Sequence, residues 1–321
     1  MRKARPTVEF LARWLPRAAF LRVYGRAKMG HWPDLRAPKR FSDHLLRRML
    51  DPGDELAAMV RTGDKYTLRG YVAERMSEGH LPRLIDVIEQ GQSITRERLA
   101  GWPATAVMKA SHASRWMTFV ERDTADPAEL DALARRWMSR TYGGVRQEPH
   151  YDLMTPRVVV EEDLRRNGVP PSDVKFFTLA GEPRLVFAES DRFQTLRRFV
   201  ADPAWRALAV RYAEPPPDRD PPRPARLDAM LDVARTLATG LAFVRVDLYE
   251  VEDRILVGEM THFPSAGAPR FDPRSFDDEL GAVWRDRRPI DPHWLRSDQR
   301  GVAVVGQGRP RSEEPGGSRS C

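Results

Sequence analysis

Residues 244–261 read V-R-V-D-L-Y-E-V-E-D-R-I-L-V-G-E-M-T, and this stretch decides most of what the sequence says about the fold. Apolar and polar residues alternate on both sides of the polar triplet at 252–254, which predicts two antiparallel strands joined by a turn. If the turn has three residues, Asp247 lies directly opposite Glu259. Facing side chains in such a pair have Cβ atoms about 4.5–5.5 Å apart.

The two facing carboxylates, Asp247 and Glu259, repel each other unless a cation lies between them. Mg²⁺ at nucleotide sites takes oxygen ligands from one or two carboxylates, and water and phosphate complete its shell. The same register places Arg245 opposite Thr261, where a guanidinium could hold an anion beside the metal. A hairpin with one solvated polar face carries the same pattern, and on the hairpin alone that plainer interpretation is favoured.

The composition restricts the class of protein and its partners. Of 321 residues, 41% are hydrophobic and 31% are charged, which is typical of globular protein and allows two domains. The one cysteine, Cys321, excludes an internal disulfide framework and a cysteine zinc site, and it fits a reducing compartment. The net charge of +7 favours anionic partners. The sequence has neither an RNA-binding signature with aromatic residues among basic ones nor the residue spacing of a zinc finger, so nothing further indicates nucleic acid.

Membrane and export signals are absent from the sequence pattern. No apolar run reaches the ~18 residues of a membrane span, and Arg13, Arg17 and Arg22 interrupt any signal-peptide core. We therefore expect a cytoplasmic protein. Residues 7–30 predict a basic amphipathic helix interrupted by Pro16. Its apolar face is expected to pack on the protein, and peripheral contact with an anionic membrane is the alternative.

The remaining pattern mixes helices with locally paired strands, which predicts an α+β fold rather than a doubly wound sheet. A strand is predicted at Leu84–Ile88, and helices are predicted at 201–208 and at Leu227–Ala238. From residue 297 the chain turns to Gly, Arg, Ser, Glu and Pro, a composition typical of a disordered tail.

Charged residues near the ends of predicted elements suit a magnesium–nucleotide site. Lys65, Lys109 and Lys175 lie on three separate elements and can neutralise phosphates as point charges. The loop after Lys109 can present backbone N–H groups to phosphate oxygens. An apolar strand ends at Glu161 and Glu162, where a polar hinge can meet adenine and ribose. Each feature alone is more often a solvated surface, and the ordered combination favours the nucleotide site.

Six sequence blocks occur in the order found in the TupA-like branch of the ATP-grasp superfamily, which the chain resembles over about residues 40–284. The blocks are D-K-Y-T-L-R-G-Y-V at 64–72, V-M-K-A-S-H-A-S at 107–114, P-R-V-V-V-E-E-D-L at 156–164, D-V-K-F-F-T-L-A-G-E-P at 173–183, F-V-R-V-D-L-Y at 243–249 and G-E-M-T-H-F-P-S-A-G at 258–267. The resemblance implies an ATP-grasp fold, in which two α+β subdomains hold ATP between them. The implied division is a helical segment at 1–60, subdomains at 61–163 and 164–296, and a tail at 297–321.

The resemblance also implies roles for individual residues. Members of the superfamily typically phosphorylate a carboxylate with ATP, and an amine then attacks the acyl phosphate to form an amide. The residues implied to contact ATP are Lys65, Lys109, His112, Ser114, Arg115, Glu161, Glu162, Asp163 and Lys175. The residues implied to bind Mg²⁺ are Asp247, Glu259 and Thr261, and those implied in catalysis are Arg245 and Lys175.

The phosphate loop departs from the family pattern. The family loop is close to N-H-G-S-G, whereas residues 111–115 read S-H-A-S-R. Glycine permits backbone conformations that bring N–H groups close to phosphate, and Ala113 and Arg115 restrict them. In one interpretation the Arg115 guanidinium replaces the lost backbone contacts. In the other, nucleotide binding is weakened or altered.

Three functions are consistent with the sequence. The leading hypothesis is an ATP- and Mg²⁺-dependent carboxylate–amine ligase of cell-surface polysaccharide or polymer biosynthesis, a substrate class implied by the resemblance alone. The alternatives are a glycosyltransferase-like enzyme of polysaccharide biosynthesis and a degenerate, non-catalytic ATP-grasp protein. Three lysines suit a triphosphate better than a sugar nucleotide, which argues against the transferase. The expected partners are ATP, a carboxylate and an amine, without nucleic acid.

Overall fold

The computed structural model describes residues 14–143, 147–190 and 196–299. Its helices are α1 (Arg17–Met29), α2 (Phe41–Leu50), α3 (Leu56–Gly63), α4 (Thr67–Arg75), α5 (Arg96–Ala100), α6 (Pro127–Met138), α7 (Leu227–Ala238) and α8 (Ser275–Asp286). Its strands are β1 (Leu84–Ile88), β2 (Thr105–Ala110), β3 (Met117–Glu121), β4 (Val158–Glu162), β5 (Ser172–Leu179), β6 (Glu182–Ser190), β7 (Arg197–Ala201), β8 (Arg211–Tyr212), β9 (Phe243–Val251), β10 (Arg254–Thr261) and β11 (Phe271–Asp272). Within the described ranges, four α-helices precede the first strand, and β4 to β8 follow one another without an intervening α-helix. Helices combined with antiparallel sheets confirm the predicted α+β class.

The first sheet has the strand order β1-β4-β2-β3, with antiparallel neighbours. Successive side chains of a strand point to opposite faces. Met108, Val158 and Val160 therefore share one face, where they pack in a core with Trp137 of α6. Their neighbours in sequence, such as Lys109, lie on the opposite face, which carries charge.

The second sheet has the order β10-β9-β5-β6-β7. Helix α7 covers one face, where Phe176 and Val246 pack against Leu237. Burying a side chain of this size contributes about 1.5–3 kcal/mol, so this face is held firmly. The alternating residues Lys175 and Asp247 lie on the other face, directly opposite each other. A separate two-stranded sheet pairs β8 with β11.

The β9–β10 hairpin contains the predicted pairs but not the predicted turn. Asp247 faces Glu259, and the second predicted pair is also present. The three-residue turn was wrong, because Val251 pairs with Arg254 and leaves only two residues between the strands.

A bulge at Gly258 explains why the predicted pairs survive the shorter turn. Gly258 is the extra residue between the pairs that contain Val257 and Glu259. A Cβ atom at Gly258 would lie 2.5 Å from Cε2 of Tyr249, so the ring of Tyr249 occupies the space that a side chain would need. A bulge re-aims the residues that follow it, here Glu259.

The N-terminal helix packs on the protein, as the sequence favoured. Helix α1 begins directly after the interruption at Pro16, and residues 7–13 of the predicted helix lie outside the described residues. Phe20 and Leu21 are buried in a core shared with α2. In the described ranges, no helix is long and apolar enough to cross a membrane. Of the predicted tail, residues 297–299 are described and the rest lies outside those ranges.

The helix predicted at 201–208 was wrong. Strand β7 ends at Ala201, and Asp202 then accepts hydrogen bonds from the backbone N–H of Ala204 at 3.1 Å and of Arg206 at 2.9 Å. The guanidinium of Arg206 also binds Asp202, at 2.7 Å from Nε. Aspartate side chains that bond to nearby backbone offer the chain an alternative to helix, and here that alternative is the structure adopted.

Candidate active site

Asp64 joins the start of α4 to the loop that follows β2. One of its oxygens accepts the backbone N–H groups of Tyr66 and Thr67, both at 2.9 Å, and the other accepts the hydroxyl of Ser111 at 2.7 Å. Lys65 is thereby held beside this loop, and its ammonium donates to the Ala113 carbonyl at 2.6 Å. Burial lowers the pKa of Lys65, against the effect of nearby carboxylates.

Lys109 and Glu161 form a charged pair on the face of the first sheet that lies opposite its apolar core. The Lys109 ammonium donates to one Glu161 oxygen at 2.7 Å, and Arg69 of α4 donates to the other at 3.0 Å. Glu161 is only 6% exposed, so both cations neutralise a buried charge. Burial alone would lower the pKa of Lys109, but the charge of Glu161, with those of Tyr249 and Glu259, raises it above its ordinary value.

Asp247 lies between two cations on the second sheet. Arg245 donates to its two oxygens from Nε and Nη2, both at 2.6 Å, and Lys175 donates to Oδ2 at 2.6 Å. Burial opposes the charge of Asp247, yet Arg245 and Lys175 hold its pKa below the ordinary value. In turn, burial opposes the charge of Arg245, but Asp247 and Glu259 raise its pKa. The bidentate geometry is the strongest form of this contact.

Two further carboxylates, missed by the sequence interpretation, complete the surroundings of Lys175. Its ammonium lies 2.7 Å from Asp173 and 4.0 Å from Glu189, and Glu189 also binds Arg198 through Nε at 3.1 Å. Asp173 and Glu189 face each other across β5 and β6. The signal was present in the spacing, because Asp173 and Lys175 are two residues apart and must share one face of a strand.

Glu259 connects the charges of the two sheets. Its carboxylate accepts the Thr261 hydroxyl at 3.2 Å and is partly exposed. It interacts electrostatically with Lys65, just before α4, with Lys109 on the first sheet, and with Arg245 on its own sheet. The charged cluster between the two sheets therefore comprises Lys65, Lys109, Glu161, Lys175, Arg245, Asp247 and Glu259.

The charged cluster provides some of the oxygen ligands that Mg²⁺ requires. Among the described residues, no group of three or more His, Cys, Asp and Glu side chains is arranged to hold a metal ion. Asp247, Glu259 and Thr261 bring oxygen atoms to one face of the hairpin, and Mg²⁺ at nucleotide sites needs only one or two carboxylates. Both oxygens of Asp247 are already held by cations, so Glu259 is the more open ligand. The set suits a metal ion that arrives with phosphates.

A family model described as TupA-like ATPgrasp matches residues 43–285. The chain belongs to the TupA-like ATP-grasp family. The family prediction and the ATP-grasp fold are thus confirmed.

Solved structures similar to this TupA-like protein include several ligases. A D-alanine–D-alanine ligase from Bacillus anthracis is 11% identical, with a TM-score of 0.38, and the match covers 65% of this chain and 64% of that one. The ATP-grasp ligase PsnB, complexed with a phosphomimetic variant of its minimal precursor, Mg and ADP, is 11% identical, with a TM-score of 0.41 and coverages of 73% and 60%. A D-alanine–D-alanine ligase from Helicobacter pylori is 13% identical, with a TM-score of 0.39 and coverages of 74% and 61%.

The TupA-like chain spans less than two thirds of the length of each of these three proteins. A comparison with curated proteins gives no match.

The loop after β2, predicted to bind phosphate, contains a non-glycine residue in a conformation typical of glycine. Arg115 has a φ of 68°, in the left-handed region that glycine adopts without penalty. Its side chain is exposed and the neighbouring Ser114 is partly buried. Arg115 therefore carries a side chain in a backbone conformation that favours glycine.

His112 lies in the same loop but its ring caps a helix. The imidazole Nε2 lies 3.2 Å from the carbonyl oxygens of both Trp137 and Arg140, at the C-terminal end of α6. Burial lowers the pKa of His112, which keeps the ring neutral. The contact positions the loop, and the nucleotide contact of His112 stays a prediction.

The acidic residues at the end of β4 and directly after it have their own arginine partners. Glu162 accepts the backbone N–H of Arg83 at 2.8 Å and a guanidinium hydrogen bond from Arg254 at 3.3 Å. Asp163 binds Arg165, whose guanidinium donates to it at 2.6 Å. Neither carboxylate makes a contact with the charged cluster in the described structure, and their roles toward adenine and ribose stay predictions.

Proposed function

We propose that this protein is an ATP- and Mg²⁺-dependent carboxylate–amine ligase that works through an acyl phosphate. The observation that carries the proposal is the charged cluster between the two sheets. Lys65 and Lys109 come from the first sheet side, and Lys175, Arg245 and Asp247 come from the second. Family membership supports ATP as the nucleotide.

The residues of the cluster have distinct proposed tasks. Lys65 and Lys109 would neutralise phosphate oxygens, because partly buried lysines act as point charges. Arg245, held by a bidentate contact, is already oriented to stabilise the negative charge that develops when an amine attacks an acyl phosphate. Asp247 and Glu259 would hold Mg²⁺, which supplies charge neutralisation between phosphates when it is bound.

The wider assignments belong to the same proposal. We place the nucleotide between subdomains at residues 61–163 and 164–296. A role in cell-surface polysaccharide or polymer biosynthesis, with a cytoplasmic location, rests on the family resemblance and the sequence pattern. The substrates are a carboxylate and an amine.

One observation favours a second candidate, a nucleotide-binding protein without turnover. Asp247 is paired with two cations at 2.6 Å, so it offers little net negative charge to a metal. If this pairing persists in the presence of nucleotide, the protein would bind ATP without activating it. The two candidates differ in whether ATP is consumed when carboxylates and amines are supplied.

The test is calorimetric titration of the protein with ATP, with and without Mg²⁺, and with UDP-glucose in parallel. The ligase proposal predicts Mg²⁺-dependent ATP binding and weak binding of the sugar nucleotide. Glu259→Gln should weaken Mg²⁺-dependent binding about tenfold or more, because it removes the open carboxylate. Asp247→Asn should do the same, with some loss of stability, since Arg245 and Lys175 each lose one charged partner.

The matched control lies on the same hairpin. Asp253 sits in the turn and is exposed, and among the described residues its ion-pair partner is the half-exposed Arg226. Asp253→Asn should leave ATP binding and stability unchanged. Equal ATP binding by Glu259→Gln and Asp253→Asn would refute the hairpin metal site. Binding of UDP-glucose instead of ATP would support the glycosyltransferase alternative, and ATP binding without phosphate release over a screen of acids and amines would support the non-catalytic one.

A further inference from the structure

A cavity of about 820 Å³ lies at the N-terminal side of the molecule, away from the charged cluster. Its walls are α1, the segment that follows α1, and the outer face of α2. The α1 wall is packed closely, since a Cβ at Gly25 would lie 2.8 Å from Pro33 and 2.9 Å from Leu46. The segment between the helices is held by Asp43, which accepts the backbone N–H of Asp34 at 3.3 Å.

The cavity is positively charged. Arg22, Arg36 and Arg47 line it, with Asp34 as the acidic residue among the lining side chains. Asp34 is committed to the chain itself, because it accepts the backbone N–H groups of Arg36 and Ala37, both at 3.0 Å. In the part of the chain that the structure describes, Arg47 pairs with an exposed aspartate, and neither Arg22 nor Arg36 has a carboxylate within ion-pair distance.

The same cavity has an apolar rim. Trp32 lines it and is 59% exposed, and Leu35 and Leu50 contribute apolar wall. Tryptophan favours the boundary between water and the acyl region of a bilayer, because one end of the ring is apolar and the other carries an N–H donor. Guanidinium groups beside an exposed indole match a phosphate headgroup with its adjoining acyl chain.

We propose that this cavity binds the phosphate headgroup of an anionic membrane lipid and so docks the protein on an anionic membrane surface. The apolar face of α1 is buried in the protein and does not serve this contact. The ligand is held by the arginines and by Trp32. The opposite side of α2 contacts the loop after β10, since Met49 lies against Gly267. A docked headgroup would therefore lie about one helix diameter, ~10 Å, from this loop.

The experiment is sedimentation of the full chain with vesicles of phosphatidylcholine, alone or mixed with phosphatidylglycerol, in the absence of nucleotide. The wild type should sediment with the mixed vesicles and should not sediment with vesicles of phosphatidylcholine alone. Arg22→Gln and Arg36→Gln should each lower binding about fivefold, and the double variant about 25-fold. Trp32→Ala should lower binding as well. All three side chains are exposed, so thermal melts should be unchanged.

The matched control is Arg26→Gln, which removes an exposed arginine from α1, one turn beyond Arg22 and outside the cavity. Its effect should be less than twofold. An equal loss in Arg26→Gln and Arg22→Gln would show diffuse attraction by the whole helix and overturn the proposal. Equal binding to both vesicle types would also overturn it. Full competition by millimolar glycerol 3-phosphate would assign the cavity to a soluble phosphate ester and refute the lipid source. Because nucleotide is absent, the outcome does not depend on the ligase proposal.

Discussion

Replacing Arg115 by glycine and by alanine separates the two interpretations of the altered phosphate loop. Arg115 has a φ of 68° and an exposed side chain. A left-handed conformation costs a non-glycine residue about 1–2 kcal/mol. Arg115→Gly removes this cost, and the greater freedom of glycine in the unfolded chain offsets about 0.4–1 kcal/mol of the gain. Arg115→Ala keeps the cost, so we expect the glycine variant to be more stable than the alanine variant by up to about 1.6 kcal/mol.

Nucleotide affinity then reports on the guanidinium. If it contacts phosphate, both variants lose a charge-assisted hydrogen bond of about 1.5–3 kcal/mol, and ATP binding weakens by about 10- to 150-fold in each. If the Arg115 side chain makes no contact with phosphate, Arg115→Gly should bind ATP at least as tightly as the wild type. Arg115→Ala should then bind ATP no more tightly than the wild type. Urea unfolding and calorimetric titration with Mg²⁺ and ATP measure the two quantities.

Arg287 provides the control for this series. It is also an arginine in the left-handed region, with a φ of 54°, and it follows α8 outside the charged cluster. Arg287→Gly should raise stability by a similar amount and leave ATP binding unchanged. If Arg287→Gly stabilises the protein and Arg115→Gly does not differ from Arg115→Ala, the reasoning about the loop backbone is refuted.

The remaining predictions concern the hairpin, a buried histidine and the two lysines of the first sheet side. Gly258→Ala should lower the free energy of unfolding by about 1–3 kcal/mol, because its Cβ meets the Tyr249 ring, and adding Tyr249→Ala should recover most of the loss. An equal cost in both backgrounds would exclude this contact as the cause. Burial lowers the pKa of His150 from 6.5 to about 3, so the unfolded chain takes up the proton first. Stability should fall as the pH drops from 6.5 toward 3, by up to about 1.4 kcal/mol per pH unit, and urea unfolding of His150→Gln should show a flatter pH dependence. Calorimetry should show that Lys65→Met loses more ATP affinity than Lys109→Met.

Much of the fold was predictable because local pattern and tertiary packing agree in the main elements. The strand Leu84–Ile88 and the helix Leu227–Ala238 occur with the predicted bounds. Both have a regular apolar period that the core then uses. The prediction of a helix at 201–208 was wrong because the side chain of Asp202 accepts hydrogen bonds from backbone N–H groups of the loop that follows it. The spacing of apolar residues does not reveal such hydrogen bonds.

The hairpin shows how a correct pairing can follow from an incorrect turn. A one-residue error in the turn flips every side chain to the other face. The bulge at Gly258 shifts the register by one residue in the opposite sense, and it lies between the turn and the pair that contains Asp247. The predicted pair of Asp247 with Glu259 is therefore present. The glycine itself was visible in the sequence, and an isolated glycine within a strand pattern is a known sign of a bulge.

The candidate site was predictable in its residues but not in their partners. The sequence placed three lysines and the hairpin carboxylates near one another, and the structure brings them into one cluster. The roles of these residues toward ATP and Mg²⁺ stay predictions. The ion pairs of Asp247, the cap made by His112 and the φ of Arg115 depend on side-chain direction and on backbone geometry. Residue type and spacing do not specify either.

The partners of Lys65 and Lys109 explain why their contributions to ATP binding should differ. Lys109 already neutralises the carboxylate of Glu161. A phosphate that binds Lys109 therefore replaces one anionic partner with another, and Glu161 keeps Arg69 as its cationic partner. Lys65 donates to a neutral carbonyl, and burial lowers its pKa. A buried cation without close neutralisation pays the larger desolvation cost, and an incoming phosphate relieves that cost. The same phosphate charge therefore gains more at Lys65 than at Lys109. Equal losses in Lys65→Met and Lys109→Met would show that both lysines reach the phosphate from the same electrostatic state, contrary to this argument.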